Sequence, residues 1–358
     1  MKILYVCSEL FPYLKTGGLA DVSAGLSCAL KSLGCDVRLL IPAFPSVAGA
    51  ATVTRSLGSL PNGPTPWGQA PLLPEADVAL ATLPGCEVPI YMVRAATLYA
   101  RAGNPYLGPD GKDWEDNAQR FAALGWAAAS IGQGLDPDWT PDVIHGHDWH
   151  AGLAPAYVRA FADAGRPTPA TIFTVHNLAY QGLFPASAFA QLGLPESFFS
   201  INGLEYYGQV SFMKAALQYA DRITTVSPTY AREILTEEQG LGLDGLLRAR
   251  AHLLSGILNG VDYAVWSPAS DPLLATHYDA GSLALNIVDN KNLAEVRSGA
   301  TVTLAGGDVR LAAEGNSAST VNATAQAAGA GSAQTGAAAN EASINPVTAA
   351  TQIGTAEG

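Results

Sequence analysis

Three groups of residues have the types and spacing to do chemistry. The first is Lys15-Thr16-Gly17-Gly18, between a strand-like apolar run at residues 2–7 and a helix-like run from Leu19. Two adjacent glycines permit a tight turn and close backbone approach. The helix that follows presents unpaired N–H groups and the positive end of its dipole. Lys15 adds a point charge, so the loop reads as a phosphate seat, or else as an ordinary strand-to-helix turn. Lysine precedes the glycines, which separates it from a Walker A loop, and the spacing is not GxGxxG.

The second group is His145-Gly146-His147-Asp148-Trp149-His150, at the end of a strand-like run. Imidazoles and a carboxylate at this density suit zinc. Asp148, however, stands one position early for the HxHxDH pattern of two-metal hydrolases. Alternatively, Asp148 and Trp149 face a cleft, the indole stacking on a sugar ring. A third reading has the histidines capping the next helix. The third group is His176-Asn177, again at a strand end, within Thr174-Val-His-Asn-Leu-Ala-Tyr-Gln-Gly182. A neutral histidine there could bond a sugar hydroxyl near a reacting centre. Tyr99, with Asn104-Pro105-Tyr106, is a lesser signal, and Asn259-Gly260 reads as a turn.

These groups need elements to position them. Apolar residues at 19, 22, 26, 29, 30 and 33 have helical spacing, and Gly34 stops the helix. With a second strand at 36–41 this makes a βαβ opening and a parallel sheet. A helix from Asp116 to Gly132 and strands at 142–145, 170–176 and 222–226 continue the pattern. Ser227-Pro228 reads as N-cap and first helical residue. Residues 46–112, rich in Pro and Gly with short β-like pieces near 77–83 and 88–93, read as an excursion from the sheet.

Composition bounds what such a scaffold serves. The 358 residues carry a formal charge of −12, 48% apolar and 14% charged residues. That balance argues against binding nucleic-acid phosphates, which calls for a basic domain. Cys7, Cys28, Cys35 and Cys86 form no CxxC pair and read as reduced core thiols. The N-terminal apolar run is too short for a secretory signal, and no stretch reads as a membrane span, so a cytoplasmic location is expected. From residue 281 the style changes. Only 3 Lys+Arg and 6 Asp+Glu follow, and no Lys or Arg follows Arg310. Residues 300–313 read as two short strands around a Gly-Gly-Asp turn, and the rest as a low-complexity Ala/Gly/Thr-rich tail, disordered or weakly β.

Taken together, several motifs carry a resemblance. They are Ser8-Glu9 with Lys15-Thr-Gly-Gly-Leu-Ala-Asp-Val22, His145-Gly-His-Asp-Trp-His-Ala-Gly-Leu153, Phe173-Thr-Val-His-Asn-Leu-Ala-Tyr-Gln-Gly182, Thr225-Val-Ser-Pro-Thr-Tyr-Ala231, Leu258-Asn-Gly-Val-Asp262 and Trp266-Ser-Pro268. In order and spacing they resemble the bacterial glycogen synthase and plant starch synthase family over residues 1–279. The resemblance implies an α/β fold, the Rossmann-like N-terminal half of a GT-B glycosyltransferase with a parallel sheet flanked by helices. It implies retaining transfer of glucose from ADP-glucose to the non-reducing end of an α-1,4-glucan such as glycogen, without cofactor or metal. Lys15 would contact the donor phosphates, with Gly17 and Gly18 shaping the loop. Asp148 and His176 would be catalytic, beside the donor glucose and the attacking hydroxyl. Trp149, Tyr99 and Asn177 would line the acceptor cleft.

The resemblance also implies a second Rossmann domain after the Trp-Ser-Pro segment, with an Arg, a Lys and a Glu-Pro-Cys-Gly-Leu-type motif. Residues 281–358 match none of it and weakly resemble a repetitive bacterial surface-protein passenger. The expectation is therefore a family domain at 1–280 and an unrelated tail at 281–358, inactive in transfer alone because a leaving diphosphate needs positive groups aimed at it. A non-catalytic glucan-binding half and a structural surface protein are the other readings. Nucleic acid and membrane are not expected partners, and self-association through an exposed apolar cleft face is.

Overall fold

The computed structural model describes residues 1–260, Ser267 and four short strands beyond them. The chain divides into two compact units, Met1–Gly260 and Val261–Gly358. The boundary expected at 281, Asp262, Trp266 and Pro268 of the expected motifs and the hairpin expected at 300–313 lie outside the described residues. In the second unit, Leu285–Val288 pairs antiparallel with Lys291–Ala294, and Ser319–Val321 with Ala342–Ile344.

The first unit runs β1 (Lys2–Val6), α1 (Gly18–Ser32), β2 (Asp36–Pro42), α2 (Pro45–Ala50), β3 (Thr52–Ser59), β4 (Asp77–Thr82), β5 (Ile90–Arg94), α3 (Ala96–Tyr99) and α4 (Asn117–Gly132). It continues with β6 (Val143–His147), α5 (Leu153–Asp163), β7 (Ala170–Val175), β8 (Leu183–Pro185), β9 (Glu205–Tyr206) and β10 (Gln209–Ser211). Last come α6 (Phe212–Tyr219), β11 (Arg222–Thr225), α7 (Pro228–Glu233), α8 (Asp244–Ala249) and β12 (Leu254–Gly256). A nine-stranded sheet has the order β12-β11-β7-β6-β1-β2-β5-β4-β3. Pairs from β12 through β5 are parallel, and β4 and β3 add an antiparallel edge. Strands β8, β10 and β9 form a small separate sheet.

Central strands of such a sheet are buried on both faces. In β1, Leu4 and Val6 point into one core, while Ile3 and Tyr5 point into the other, the period-2 alternation of a strand. Helix α4 is Ala-rich and almost wholly buried, as befits a helix apolar all round. Gly125 lets α5 approach it: a Cβ there would stand 3.0 Å from Ala154 N. The helix stop at Gly34 (φ 86) and the Ser227 cap, whose Oγ accepts from Tyr230 N at 2.9 Å, are as expected.

The excursion expected at 46–112 is instead built into the sheet. β5 pairs with β2 in parallel register, Leu39 against Ile90, and β4 and β3 extend that edge. β3 gives little apolar signal because it is an exposed edge strand with two register shifts. Its hold is electrostatic. Asp136, whose side chain is wholly buried, accepts from Arg38 Nη1 at 3.1 Å, Arg55 Nη2 at 2.6 Å and Tyr91 Oη at 2.6 Å, clipping β2, β3 and β5 together. Breaking a buried ion group by removing one charge typically costs about 3–5 kcal/mol. Asp136→Asn is expected to fall at the low end, about 3 kcal/mol, read as a lower urea midpoint. An unchanged midpoint would show that Arg38 and Arg55 find other partners.

Cysteine burial departs from expectation. Cys7 is buried, Cys35 and Cys86 are half-buried, and Cys28 is exposed, since it faces solvent on α1. Among the described residues no helix is long and apolar enough to cross a membrane.

Candidate functional site

In an open parallel sheet, ligands bind outside the carboxyl ends of the strands where strand order reverses. Here the chain builds outward from β1 to β2 in one direction and from β6 to β7 in the other. The reversal therefore lies between β1 and β6. Ser8–Gly18 leaves the end of β1, Asp148–Ala151 the end of β6, and His176–Gly182 the end of β7. All three expected groups thus reach one crevice.

Glu9 organises the β1 side. It is 3% exposed, and its Oε2 accepts from Thr16 N at 2.6 Å and Gly17 N at 3.2 Å. Its Oε1 accepts from Thr16 Oγ1 and, at 2.6 Å, from Tyr106 Oη. Two N–H groups of the expected phosphate seat are therefore already held by the protein's own carboxylate. The seat is narrower than expected and begins at Gly18. An added Cβ on Gly17 or Gly18 would meet nothing within 4 Å, so these glycines leave bare backbone toward open space. Lys15 Nζ lies 2.8 Å from Asp21 Oδ2 and 5.4 Å from the centroid of Phe11.

Asp148 organises the other side. Its backbone sits at φ 55, ψ 177, a region that side chains adopt only under constraint and that concentrates at functional sites. Its Oδ1 accepts from His176 N at 2.8 Å and Asn177 N at 3.3 Å, and its own N donates to Thr174 O. The carboxyl thus joins the ends of β6 and β7. Burial pushes its pKa up to about 7 against the two N–H bonds, and the nearby Glu9 charge adds to the rise.

Behind it the histidines form a chain rather than a shell. His147 Nδ1 is 3.0 Å from His176 Nε2, and the His147 ring stacks on Tyr5 at 4.0 Å. His145 Nε2 is 2.7 Å from Thr174 Oγ1. His150 stacks on Tyr106 at 4.4 Å. Burial holds all four neutral, lowering His176 to about 4 and His145 and His150 to about 3. Among the described residues no group of three His, Cys, Asp or Glu is placed to hold a metal ion.

One expected cleft residue stands elsewhere, and a second is partly covered. Tyr99 is 1% exposed, donates to Arg120 O and packs edge-on against Phe44, so it is a core residue. Its place at the crevice is taken by Tyr106, which bonds Glu9 and Ser8 and stacks on His150. Trp149 is half-buried between two cores, edge-on to Phe121 at 4.8 Å, and Gly182 lies against its ring. It anchors the loop more than it offers an open platform. Asn177 is exposed, its Oδ1 accepting from Ala179 N. Sequence reasoning gave Glu9 no role. The available signals were its place in the Ser8-Glu9 motif and a carboxylate three residues past the end of the buried strand β1.

Comparison with known proteins follows the same lines. The starch synthase catalytic domain family matches residues 2–249. The chain belongs to that family. A glycogen synthase of Albidiferax ferrireducens is 66% identical over 283 residues, which is 79% of this chain and 57% of that protein. One of Francisella tularensis subsp. novicida is 53% identical over 285 residues, with the same coverage. The catalytic domain of starch synthase IV from Arabidopsis thaliana, bound to ADP and acarbose, superposes with a TM-score of 0.63 at 27% identity. That match covers 77% of this chain and 55% of the other. The chain of this starch synthase family member thus spans a little over half the length of these relatives.

Proposed function

We propose that residues 1–260 form the acceptor-side half of a glucosyltransferase that moves glucose from ADP-glucose to the end of an α-1,4-glucan. The observation that carries this is the meeting of the Glu9, Asp148 and His176 loops at the β1/β6 reversal, in a chain of the starch synthase family. The solved relative binds ADP and acarbose, a nucleotide and a glucan-like ligand for such a crevice.

The transfer forms a bond from an acceptor hydroxyl oxygen to the anomeric carbon as that carbon's bond to the β-phosphate oxygen breaks. ADP departs with the electron pair, and its phosphate oxygen takes up the hydroxyl proton. Lys15 would meet the diphosphate, exchanging Asp21 for a stronger anion. His176, neutral above about pH 4, can bond a sugar hydroxyl without carrying charge. Asp148, with a pKa of about 7, fixes the His176 backbone.

In this reading Lys15 is the cation the described loops offer the donor, and a leaving diphosphate calls for more than one. Loss of a single charge-stabilising group costs about 10²–10³ in turnover. Radiolabelled transfer from ADP-glucose to glycogen by the 358-residue chain is expected to run at least about 10³-fold below a full-length glycogen synthase. Comparable turnover would overturn this. ADP is expected to bind weakly and to lose most of that binding in Lys15→Ala. Unchanged ADP binding in the variant would remove Lys15 from the donor site. The same charge argument favours, as second reading, a half that holds glucan without transfer.

A further inference from the structure

A cavity of about 240 Å³ lies beside the Asn104–Tyr106 segment, lined by Leu14, Phe44, Ser46, Arg101, Asn104 and Arg120 among others. Arg120 is the unusual part of its wall. It is 1% exposed, one of the largest fully buried side chains in the protein. Its Nε donates to Leu98 O at 2.9 Å and its Nη1 to Asn117 Oδ1 at 2.7 Å, both neutral acceptors. Its guanidinium lies 5.6 Å from the Phe44 ring centroid. Among the described residues no carboxylate forms an ion pair with it. Asp116, the carboxylate whose charge acts most on it, is taken by both terminal nitrogens of Arg101.

Arg101, Asp116 and Arg120 therefore leave one positive charge uncompensated at the cavity wall. Burial lowers the proton affinity of Arg120, and Asp116 opposes that only in part. A buried ion without a partner is costly, and an anion in the cavity would remove the cost. Guanidinium groups present planar forks that suit phosphate oxygens. We propose that this cavity is a second binding site, which takes a phosphoryl group, free or as a small ester, between Arg101 and Arg120.

The test titrates inorganic phosphate into the 358-residue chain and follows ³¹P line broadening. Saturable broadening is expected. Ser46→Asp places a negative charge at the exposed lip of the cavity. It is expected to weaken binding at least about tenfold with an unchanged melting temperature. Arg120→Lys, which keeps the charge and loses the fork, should weaken it likewise, and Lys15→Ala should not. Absence of saturable broadening would overturn the proposal. So would binding lost in Lys15→Ala but retained in Ser46→Asp, which would place the phosphate on the Lys15 loop. A parallel titration with methyl phosphate identifies the source. Tighter binding than inorganic phosphate assigns an ester, equal or weaker binding assigns free phosphate, and either order upholds the site.

Discussion

Replacing Asp148 with asparagine is expected to stabilise the domain above neutral pH and to leave it unchanged near pH 4. The carboxyl is 8% exposed, and its pKa is raised from 3.8 to about 7. A group whose folded pKa is raised contributes stability that is fully present below its unfolded pKa and lost as pH rises through the folded value. The contribution of Asp148 to wild-type stability is therefore lost between about pH 4 and pH 7, while the buried neutral histidines contribute in the opposite direction over that range. Three pKa units correspond to at most about 4 kcal/mol. Asparagine keeps an acceptor for the His176 and Asn177 N–H groups and tolerates positive φ better than most residues. The neutral histidines titrate alike in both proteins, so the difference between them isolates residue 148. Melting temperatures of the two proteins measured from pH 4 to pH 8 should coincide at the acid end, diverge up to about pH 7 and stay apart above it. A constant gap, or a lower-melting variant at pH 8, would show that the carboxylate stays ionised in the fold. The same variant should weaken any transfer supported by this half, because stability gained at a strained functional position is commonly paired with lost activity.

The second large effect concerns Gly152, which joins the Trp149–Ala151 turn to α5. An added Cβ would stand 2.3 Å from Phe212 O and 2.9 Å from Trp149 O, both backbone atoms that cannot swing away. Gly152 has ordinary helical backbone angles, φ −63 and ψ −24, so the conflict is purely one of space. Overpacking of this kind costs about 1–3 kcal/mol, and occasionally more. Gly152→Ala, though favoured by helix propensity, is expected at the top of that range, about 3 kcal/mol. For a domain of this size that lowers the melting temperature by roughly 6–12 °C. The displaced atoms are the start of α6 and the carbonyl of Trp149, so the crevice should suffer with the fold. A melting temperature within a degree of wild type would mean that α6 can shift freely.

The sheet from β1 to β11 was legible because central parallel strands are continuous apolar runs, as at Lys2–Val6 and Ala170–Val175. β3 was not, since Thr52–Ser59 is exposed and anchored by Arg55 to a carboxylate 81 positions away. The Asp148 and His176 groups were legible as polar clusters ending strands. Tyr99 and Tyr106 could not be told apart by type or neighbourhood. Their fates depend on whether each hydroxyl finds Arg120 O in the core or Glu9 at the crevice, a choice made by long-range packing. How far Trp149 is covered was not legible either, since it follows from the approach of Gly182, 33 positions on, to the indole.

The carboxylate of Glu9 binds Thr16, Gly17 and Tyr106 at once, and Tyr106 in turn rests on His150. Segments far apart in the chain therefore share one fastening. Fluctuations that open the Lys15 loop must also release the Tyr106 segment, so the two behave as a single cooperative unit in local unfolding. Amide hydrogen exchange at Gly17 and around Tyr106 is then governed by one opening event, and the crevice is either assembled on its β1 side or loosened there as a whole.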